Sequence, residues 1–368
     1  RVNYHADGRL KEFTPQAGFP PLIHKGNVEN LDACPTSSAI LTPHTEFSDM
    51  YLVEVSRGCR HHCSFCLVGC AYQPLRFYRS ETLRAQIDEG LALTHRIGLV
   101  GAALADHPDL IGLCRAIVDR GGQVHPASLR LEGISTELMD LLTASGLRTV
   151  TLAPEAGSER LRQVINKGLS EEQILEKTIV ALEGGISHLK LYFMLGLPTE
   201  EQEDVEAIVK LTKRICHMTR KACHSRRPPW NIQLSISPFV PKPFTPFQWE
   251  AMEEVASLSA KLKQIQRALA RIKQVRVFFN LPKWSYVQAL LSRGDRRVGD
   301  LLQAAHHLRG DWRRAFREVN LNPDYYVYRR WEEDELLPWS HIDLGIDQEA
   351  LKKKRKGLAQ SYCSHLFS

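Results

Sequence analysis

Short apolar runs alternate with longer segments of helical spacing along most of the chain. The short runs are rich in β-branched residues and too short to form helices with a core face, so they are predicted to be buried strands. These runs cover residues 52–55, 97–101, 124–129, 149–153, 188–195 and 231–237. Helices are predicted over residues 80–95, 108–119, 135–144, from 170 onward, 199–218 and 247–272.

Capping residues mark several of the predicted helix starts. Ser135 stands in an N-cap position, and Ser170-x-x-Gln173 is a capping box that satisfies two backbone amides at once. Thr199-x-x-Gln202 has the same form. Strands separated by helices predict parallel pairing with right-handed crossovers. Six such units are fewer than the eight of a closed (β/α)8 barrel, and the chain is predicted to be an α/β protein.

The composition is that of an intracellular enzyme of ordinary type. The 368 residues are 43% hydrophobic and 24% charged, which allows one large or two medium cores. Nine cysteines, an odd number with a single cluster, argue against a disulfide framework. No apolar run reaches transmembrane length, and no signal-peptide pattern opens the chain. We therefore predict a cytoplasmic protein with no membrane partner.

The net charge of +6 is concentrated toward the C-terminus. Residues 352–356 are all Lys or Arg, and this run is explained best by a solvated helix face with a frayed tail. RNA or a phosphorylated substrate is the alternative, although no RNA-recognition motif with interleaved aromatic residues is present. Arg293, Arg296 and Arg297, together with Asp295, predict a clamp for an anionic substrate, with a surface ion-pair network as the alternative.

Three cysteines directly after the first predicted strand are the strongest chemical feature. Cys59, Cys63 and Cys66 are separated by three and two residues on one short loop. Three thiolates are one short of the four that usually hold an iron-sulfur cluster. They are also one short of a closed zinc site, which His62 or Cys70 could complete. The loop follows the carboxyl end of a strand, where α/β folds gather ligands, and this context favours an open metal centre over structural zinc.

The segment from Glu54 to Cys66, Glu-Val-Ser-Arg-Gly-Cys-x3-Cys-Ser-Phe-Cys, resembles the signature of the radical S-adenosylmethionine (SAM) superfamily. The resemblance implies a partial (β/α)6 TIM-type barrel, which agrees with the six predicted units. It implies that the cysteines hold three irons of a [4Fe-4S] cluster, while the amino and carboxylate groups of SAM chelate the fourth. One electron, from a reductant protein of flavodoxin or ferredoxin type, then yields methionine and a 5′-deoxyadenosyl radical that abstracts hydrogen from the substrate.

The resemblance also implies roles for residues near the first two strand ends. Phe65, just before the third cysteine, is implied to lie beside the adenine of SAM. Gly101 and Ala102 occupy the place of a glycine-rich segment whose backbone meets the methionine amino group of SAM. The usual paired glycines and acidic residue of that segment are absent here.

Three further residues match the cofactor site at later strand ends. Glu155, in Ala-Pro-Glu-Ala-Gly-Ser, is implied to contact the ribose or amino group of SAM, and a surface glutamate at a helix start is the alternative. Lys167 holds the place of a basic residue on the cofactor carboxylate, with a solvated lysine as the alternative. Gly196 opens a Gly-x-Pro-x-Glu turn whose backbone is implied to approach the adenine.

Motifs over nearly the whole chain narrow the resemblance to an uncharacterised branch of cobalamin-binding-type radical SAM enzymes. They include Lys-Leu-Tyr-Phe-Met-Leu-Gly at 190–196 and Leu-Pro-Trp-Ser-His-Ile-Asp at 337–343. Members of this branch carry a cobalamin domain before the segment that starts here, and no Asp-x-His-x-x-Gly cobalamin motif occurs in these residues. If cobalamin takes part, methyl transfer to an unactivated carbon is the implied outcome.

The predicted organisation has three parts: a lead-in segment over 1–48, a radical SAM core over 49–280 and an α-rich C-terminal extension over 281–368. One more strand is predicted at 275–279, past the six barrel units. Two other functions stay open. An RNA-modifying enzyme of methylthiotransferase-like type would need further cluster cysteines, and a zinc-binding nucleic-acid module would leave the strand-end residues unexplained. The sequence assigns no catalytic side chain and names no substrate.

Overall fold

The computed structural model describes residues 1–222 and 231–365. The strands in these ranges are β1 (Val2–Tyr4), β2 (Leu10–Phe13), β3 (Ile23–His24), β4 (Tyr51–Glu54), β5 (Ser56–Arg57), β6 (Arg76–Phe77), β7 (Arg96–Val100), β8 (Gln123–Pro126), β9 (Thr149–Glu155), β10 (His188–Leu195), β11 (Asn231–Pro238), β12 (Val275–Phe279) and β13 (Ile342–Asp343).

The helices follow the strands in regular alternation through the core. They are α1 (Val68–Ala71), α2 (Ser80–Leu91), α3 (Leu110–Val118), α4 (Thr136–Ala144), α5 (Glu159–Val164), α6 (Glu171–Glu183), α7 (Gln202–Ala222), α8 (Val255–Leu269), α9 (Pro282–Arg293), α10 (Val298–His307), α11 (Trp312–Glu318), α12 (Asp324–Val327) and α13 (Gln348–His365). None of these described helices combines the length and apolar character needed to cross a membrane.

Two parallel sheets form the barrel wall. The first has the strand order β4-β7-β8, and the second has the order β12-β11-β10-β9. The side chains that point outward are buried beneath the helices, as Leu189 and Leu191 of β10 show. The prediction of a partial α/β barrel is confirmed, and all six predicted strands are present to within three residues at each end.

The two parallel sheets contain seven strands, one more than the six of the predicted (β/α)6 barrel. The strand predicted at 275–279, past the barrel units, is β12, and it pairs in parallel with β11. Val275, Val277 and Phe279 pack against the main core, because β12 continues the outward face of β11. The domain limits predicted after residues 48 and 280 stay a prediction. The lead-in segment and the C-terminal extension contact each other, because β3 pairs in parallel with β13.

Capping chemistry accounts for several helix starts. Ser135 and Ser158 each accept a hydrogen bond from a backbone amide of the following turn, and Ser170 with Gln173 forms the predicted capping box. The predicted cap at Thr199 is wrong, because α7 begins only at Gln202 and Thr199 has a left-handed φ of 66°.

The helix predicted over 247–272 begins later than expected, since α8 covers Val255–Leu269. Residues before it form a buried loop that contacts the C-terminal extension. Trp331 donates its backbone N–H to the carbonyl of Trp249 at 2.8 Å, and Met252 donates to the carbonyl of Val327 at 3.0 Å. The apolar residues between 247 and 254, whose spacing predicted a helix, therefore form the contact with the C-terminal extension instead.

Close approach of α7 to the end of β9 requires glycine at position 157. A Cβ added at Gly157 would lie 2.2 Å from the backbone nitrogen of Ile208 and 2.6 Å from the carbonyl carbon of Ala207. We expect Gly157→Ala to lower the free energy of unfolding by about 3 kcal/mol, because backbone atoms of a helix must move. Thermal or denaturant unfolding followed by circular dichroism measures the change.

Gly299 of α10 is a matched control for this substitution. A Cβ there would meet nothing within 4 Å, so Gly299→Ala is expected to stabilise the fold by about 0.5 kcal/mol through higher helix propensity. Equal unfolding curves for Gly157→Ala and the wild type would contradict the proposed contact.

Candidate functional site

Cys59, Cys63 and Cys66 lie on the loop between β5 and α1, at the carboxyl end of β4. Cys59 and Cys63 are buried, and Cys66 is partly exposed. Burial raises the pKa of the Cys59 and Cys63 thiols, and a negative charge on Cys66 raises both further. This mutual influence places the three thiols in one electrostatic group.

The cysteine loop is held against the segment that follows α5. Asn166 donates its side-chain amide to the carbonyl of His62 at 2.9 Å, and Ser64 donates its backbone N–H to the carbonyl of Ile165 at 2.9 Å. The side chain of Gln73 donates to the carbonyl of Cys59. The backbone of the loop is therefore fixed from both sides.

His61 has a structural partner in this loop. Its Nε2 lies 2.7 Å from Oδ2 of Asp106, and Arg60 donates to Oδ1 of the same carboxylate at 3.2 Å. Asp106 thus ties the cysteine loop to the segment after β7.

Two cations flank Cys63. Nη1 of Arg130 lies 4.0 Å from Sγ of Cys63, and Nη2 donates to Glu132 at 2.7 Å. Against the effect of burial, Lys167 and then Arg130 act to lower the pKa of Cys63. The Nε of Arg130 is buried and has no hydrogen-bond partner in the described part of the chain. Positive charge at this position suits thiolates or an anionic metal cluster.

Glu155 and Lys167 form an ion pair beside the same loop. Nζ of Lys167 lies 3.5 Å from Oε1 of Glu155, and the two side chains are 7% and 16% exposed. Glu155 ends β9 with a left-handed φ of 69°. Burial raises the pKa of Glu155, and the charges of Lys167 and Arg130 oppose that rise. A carboxylate, an ammonium and a guanidinium thus share one partly buried region.

The Gly196 turn is fixed by a buried carboxylate. Gly196 adopts a left-handed φ of 76°, which glycine tolerates without steric cost. Its N–H donates to Oε1 of Glu200 at 3.0 Å, and Nζ of Lys261 binds the same oxygen at 2.8 Å. The glutamate of the predicted Gly-x-Pro-x-Glu turn therefore shapes the turn.

Phe65 links the cysteine loop to the two later strand ends. It packs against a small apolar cluster of buried residues: Ala156, Leu161, Val164, Ile165, Leu197, Phe239 and Phe247. Ala156 follows Glu155, and Leu197 follows Gly196. The structure therefore brings Phe65, Glu155, Lys167 and the Gly196 turn to the same end of the barrel as the cysteines.

Gly101 and Ala102 lie on the other side of the cysteine loop. They line a cleft of about 570 Å³ together with Ser56 and Gly58. The Oγ of Ser56 is buried without a hydrogen-bond partner among the described residues, and a Cβ on Gly101 would approach it to 2.7 Å. An unsatisfied hydroxyl beside a bare backbone leaves room for a polar ligand.

The donor set fits an iron-sulfur cluster. Clusters of this kind are held by cysteine thiolates, and their potentials depend on nearby charge and hydrogen bonds. Among the described residues, no three His, Cys, Asp or Glu side chains are grouped around one ion position.

Residues 53–212 match the Radical SAM superfamily. This region is a radical SAM domain. It contains the cysteine loop, Arg130, Glu155, Lys167 and the Gly196 turn, and it ends within α7.

Three curated relatives are similar to the chain. An uncharacterized protein of Methanocaldococcus jannaschii is 33% identical over 70% of this chain and 54% of that protein. An uncharacterized methyltransferase of Pyrococcus horikoshii is 25% identical over 58% and 46%, respectively. The cytidylyl-2-hydroxyethylphosphonate methyltransferase of Streptomyces wedmorensis is 30% identical over 44% and 31%. The chain therefore spans between 31% and 54% of the length of these relatives.

Arg130 is the main site residue that the sequence did not reveal. The signal was its position, four residues after the end of β8 and at the same barrel edge as the cysteine loop. Asp106 was missed for the same reason, because it follows β7 and carries no motif. Strand-end position alone marks many residues, and only the folded radical SAM domain shows which of them reach the cysteines.

Two of the three arginines in the predicted clamp, Arg293 and Arg297, are engaged in structural contacts, whereas Arg296 is exposed. Arg293 is fully buried and donates to the carbonyls of Val327 at 3.2 Å and Arg329 at 2.8 Å. Arg297 pairs with Asp295 at 2.6 Å and donates to the carbonyl of Gly8 at 2.9 Å. These guanidinium groups hold the terminal segments against each other.

Ion pairs within the chain also engage part of the basic run at 352–356. Arg355 pairs with Glu250 at 2.7 Å and with Glu333 at 3.1 Å, and Lys356 pairs with Glu333 at 3.1 Å. This arrangement favours the explanation of the run as a charged helix face over an RNA-binding tail.

The position of Arg130 predicts the reactivity of Cys63 in metal-free protein. We expect Arg130→Gln to slow alkylation of Cys63 by iodoacetamide by at least about threefold, because thiolate is the reactive form and a nearby cation stabilises it. Peptide mass spectrometry after timed alkylation at pH 8 measures the rate at each cysteine.

Arg115→Gln is the matched control, because Arg115 pairs with Glu137 on the outer helices. The exposed Cys34 provides an internal standard for the reagent. If Cys63 of Arg130→Gln reacts as fast as in the wild type, Arg130 does not stabilise the thiolate.

Proposed function

We propose that the radical SAM domain binds a [4Fe-4S] cluster through Cys59, Cys63 and Cys66 and cleaves SAM reductively. The observation that supports this best is the group of three thiols at the carboxyl end of β4, flanked by Arg130 and Lys167. When bound, the cluster supplies the electron that splits SAM into methionine and a 5′-deoxyadenosyl radical for hydrogen abstraction. The protein orients both molecules and excludes water from the site.

The residues around the loop have complementary roles in this proposal. Lys167 binds the carboxylate of SAM, and Glu155 accepts hydrogen bonds from its ribose or amino group. Their ion pair in the absence of cofactor keeps both side chains oriented, since each partly neutralises the other. Phe65 and the backbone of the Gly196 turn border the adenine, and the backbone at Gly101 and Ala102 receives the methionine amino group.

The reaction outcome that we propose is methyl transfer to a carbon of the substrate. Two relatives carry methyltransferase names, one of them acting on a cytidylyl-phosphonate by its name. In this proposal cobalamin carries the methyl group. The electron comes from a flavodoxin or ferredoxin type protein in the cytoplasm.

The alternatives make different demands on the chain. An RNA-modifying enzyme of methylthiotransferase-like type would use the same cluster with a basic RNA surface, and the basic run at 352–356 is partly engaged in ion pairs. A zinc-binding nucleic-acid module would not require the partly buried Glu155–Lys167 pair beside the thiols. Neither alternative accounts for the site as fully as SAM cleavage does.

Anaerobic reconstitution tests the proposal. The wild-type chain is expected to become brown with about four irons per chain and, after reduction, to convert SAM to 5′-deoxyadenosine. Alanine at Cys59, Cys63 or Cys66 is expected to abolish both properties, while Cys70→Ala keeps them. Iron analysis and chromatography of the nucleoside measure the two results. A colourless wild-type protein loaded with zinc would contradict the proposal.

Glu155→Gln separates cofactor binding from cluster assembly. We expect this variant to retain its iron and to bind SAM about tenfold more weakly, because the charged acceptor is replaced by a neutral amide oxygen that forms weaker hydrogen bonds. Equilibrium dialysis with labelled SAM measures the affinity. Glu159→Gln is the matched control, since Glu159 lies exposed at the start of α5. Equal SAM affinity in the two variants would remove Glu155 from the proposed site.

A further inference from the structure

The inner face of the second sheet carries a row of polar side chains across three strands. The register pairs Lys190 of β10 with Gln233 of β11, and Gln233 with Arg276 of β12. The outward neighbours in each strand are core residues, such as Leu189, and these three side chains therefore face the barrel interior. We call Lys190, Gln233 and Arg276 the basic row.

Neither cation of the basic row forms an ion pair or a hydrogen bond within the described part of the chain. Lys190 makes a cation–π contact, with its Nζ 5.1 Å from the ring centroid of Tyr192. Arg276 is exposed. The hydroxyls of Tyr192 and Ser235 occupy the adjacent row of the same face. The inner face of this sheet thus offers several donors that the fold does not use.

Carboxylates elsewhere in the barrel interior do not neutralise the basic row. Glu54 of β4 is bound by Arg57 at 2.8 Å and by the hydroxyl of Tyr78 at 3.1 Å. Glu155 is bound by Lys167. Lys190 and Arg276 therefore keep their positive charge, as does Arg96 of β7, whose guanidinium donates to the carbonyl of Ser48 at 2.7 Å.

The spacing of the row suits one oxyanion. Adjacent strands lie about 4.8 Å apart, so two strand intervals separate the backbones of Lys190 and Arg276 by about 9.6 Å. Both side chains are long enough to converge above Gln233, whose amide supplies a further donor. A guanidinium and an ammonium around one phosphate or carboxylate form strong, charge-assisted hydrogen bonds.

We propose that the basic row binds an oxyanion group of the substrate, a phosphate or a carboxylate. The identification of this ligand as the substrate rests on the proposed function, whereas the anion site itself does not. The proposal places an anion site on the inner face of the barrel, away from Arg293 and Arg297, whose guanidinium groups are engaged in structural contacts.

Isothermal titration calorimetry of the full chain with inorganic pyrophosphate and, separately, with citrate tests the site. The wild type is expected to bind at least one of these probes, with an affinity that falls as salt is added. Binding of pyrophosphate alone identifies a phosphoryl site, and binding of citrate alone identifies a carboxylate site. Failure of the wild type to bind either probe would overturn the proposal.

Substitutions locate the binding. The double variant Lys190→Met with Arg276→Met is expected to weaken binding by at least about tenfold, and Lys190→Arg with Arg276→Lys is expected to retain it. Lys263→Met with Arg267→Met removes the same charge from exposed positions of α8 and should bind like the wild type. Equal affinity in the first double variant and the wild type, with unchanged circular dichroism, would refute the basic row as the site.

The result is separable from that of the proposed function. Anion binding is measured without iron or SAM, while cluster assembly and 5′-deoxyadenosine formation are measured without an anion. Loss of iron in the wild type would therefore leave the anion site standing, and absence of anion binding would leave SAM cleavage standing.

Discussion

The contact between the cysteine loop and residues 164–166 is the constraint on which the site depends. The two sheets of the barrel have no ladder of hydrogen bonds between β8 and β9. The cysteine loop extends from the first sheet, and residues 164–166 extend from the second. Hydrogen bonds from Asn166 to His62 and from Ser64 to Ile165 therefore join the sheets at their carboxyl ends. Arg130, which follows β8, strengthens this junction through Cys63.

Electrostatic balance at this junction explains why charged groups are tolerated inside it. Burial disfavours the thiolates and the Glu155 carboxylate, and it raises their pKa values. Lys167 and Arg130 compensate both kinds of group, so one pair of cations stabilises two different sets of anions. Removing either cation would leave buried negative charge, which costs more than the loss of a surface ion pair. Such an arrangement suits a site that must bind an anionic cluster and a zwitterionic cofactor.

Sequence reasoning succeeded where local pattern determines structure. The strands were predictable because parallel strands buried on their outer face keep β-branched and aliphatic residues in short runs. The predicted helix start at Thr199 was wrong, because a capping-box pattern in the sequence does not reveal that the backbone at Thr199 is left-handed. The helix predicted from 247 failed because the backbones of Trp249 and Met252 form hydrogen bonds with Trp331 and Val327 of the C-terminal extension. The second error arises from tertiary contacts that overrule local spacing.

Some residues of the candidate site could be predicted from local sequence motifs, and others could not. The cysteines, Glu155, Lys167 and Gly196 could be found because they stand in motifs at strand ends, although their cofactor roles stay predictions. Arg130 could not, since nothing in its sequence neighbourhood links it to Cys63, which lies 67 residues earlier. The arginines at 293 and 297 attracted attention by density of charge, yet the fold uses them for carbonyls and Asp295. Charge density in a sequence identifies positive residues but not which of them remain unpaired.

The proposed anion site and the proposed SAM site would together constrain the substrate. Lys190 lies five residues before the end of β10, so about 16 Å of strand separates the basic row from the carboxyl end where SAM is proposed to bind. A substrate anchored at the row must extend toward that end for its carbon to meet the radical. A small anion such as free acetate would not reach across this distance. The two proposals together therefore require an elongated substrate with its anionic group at one end and its reacting carbon at the other.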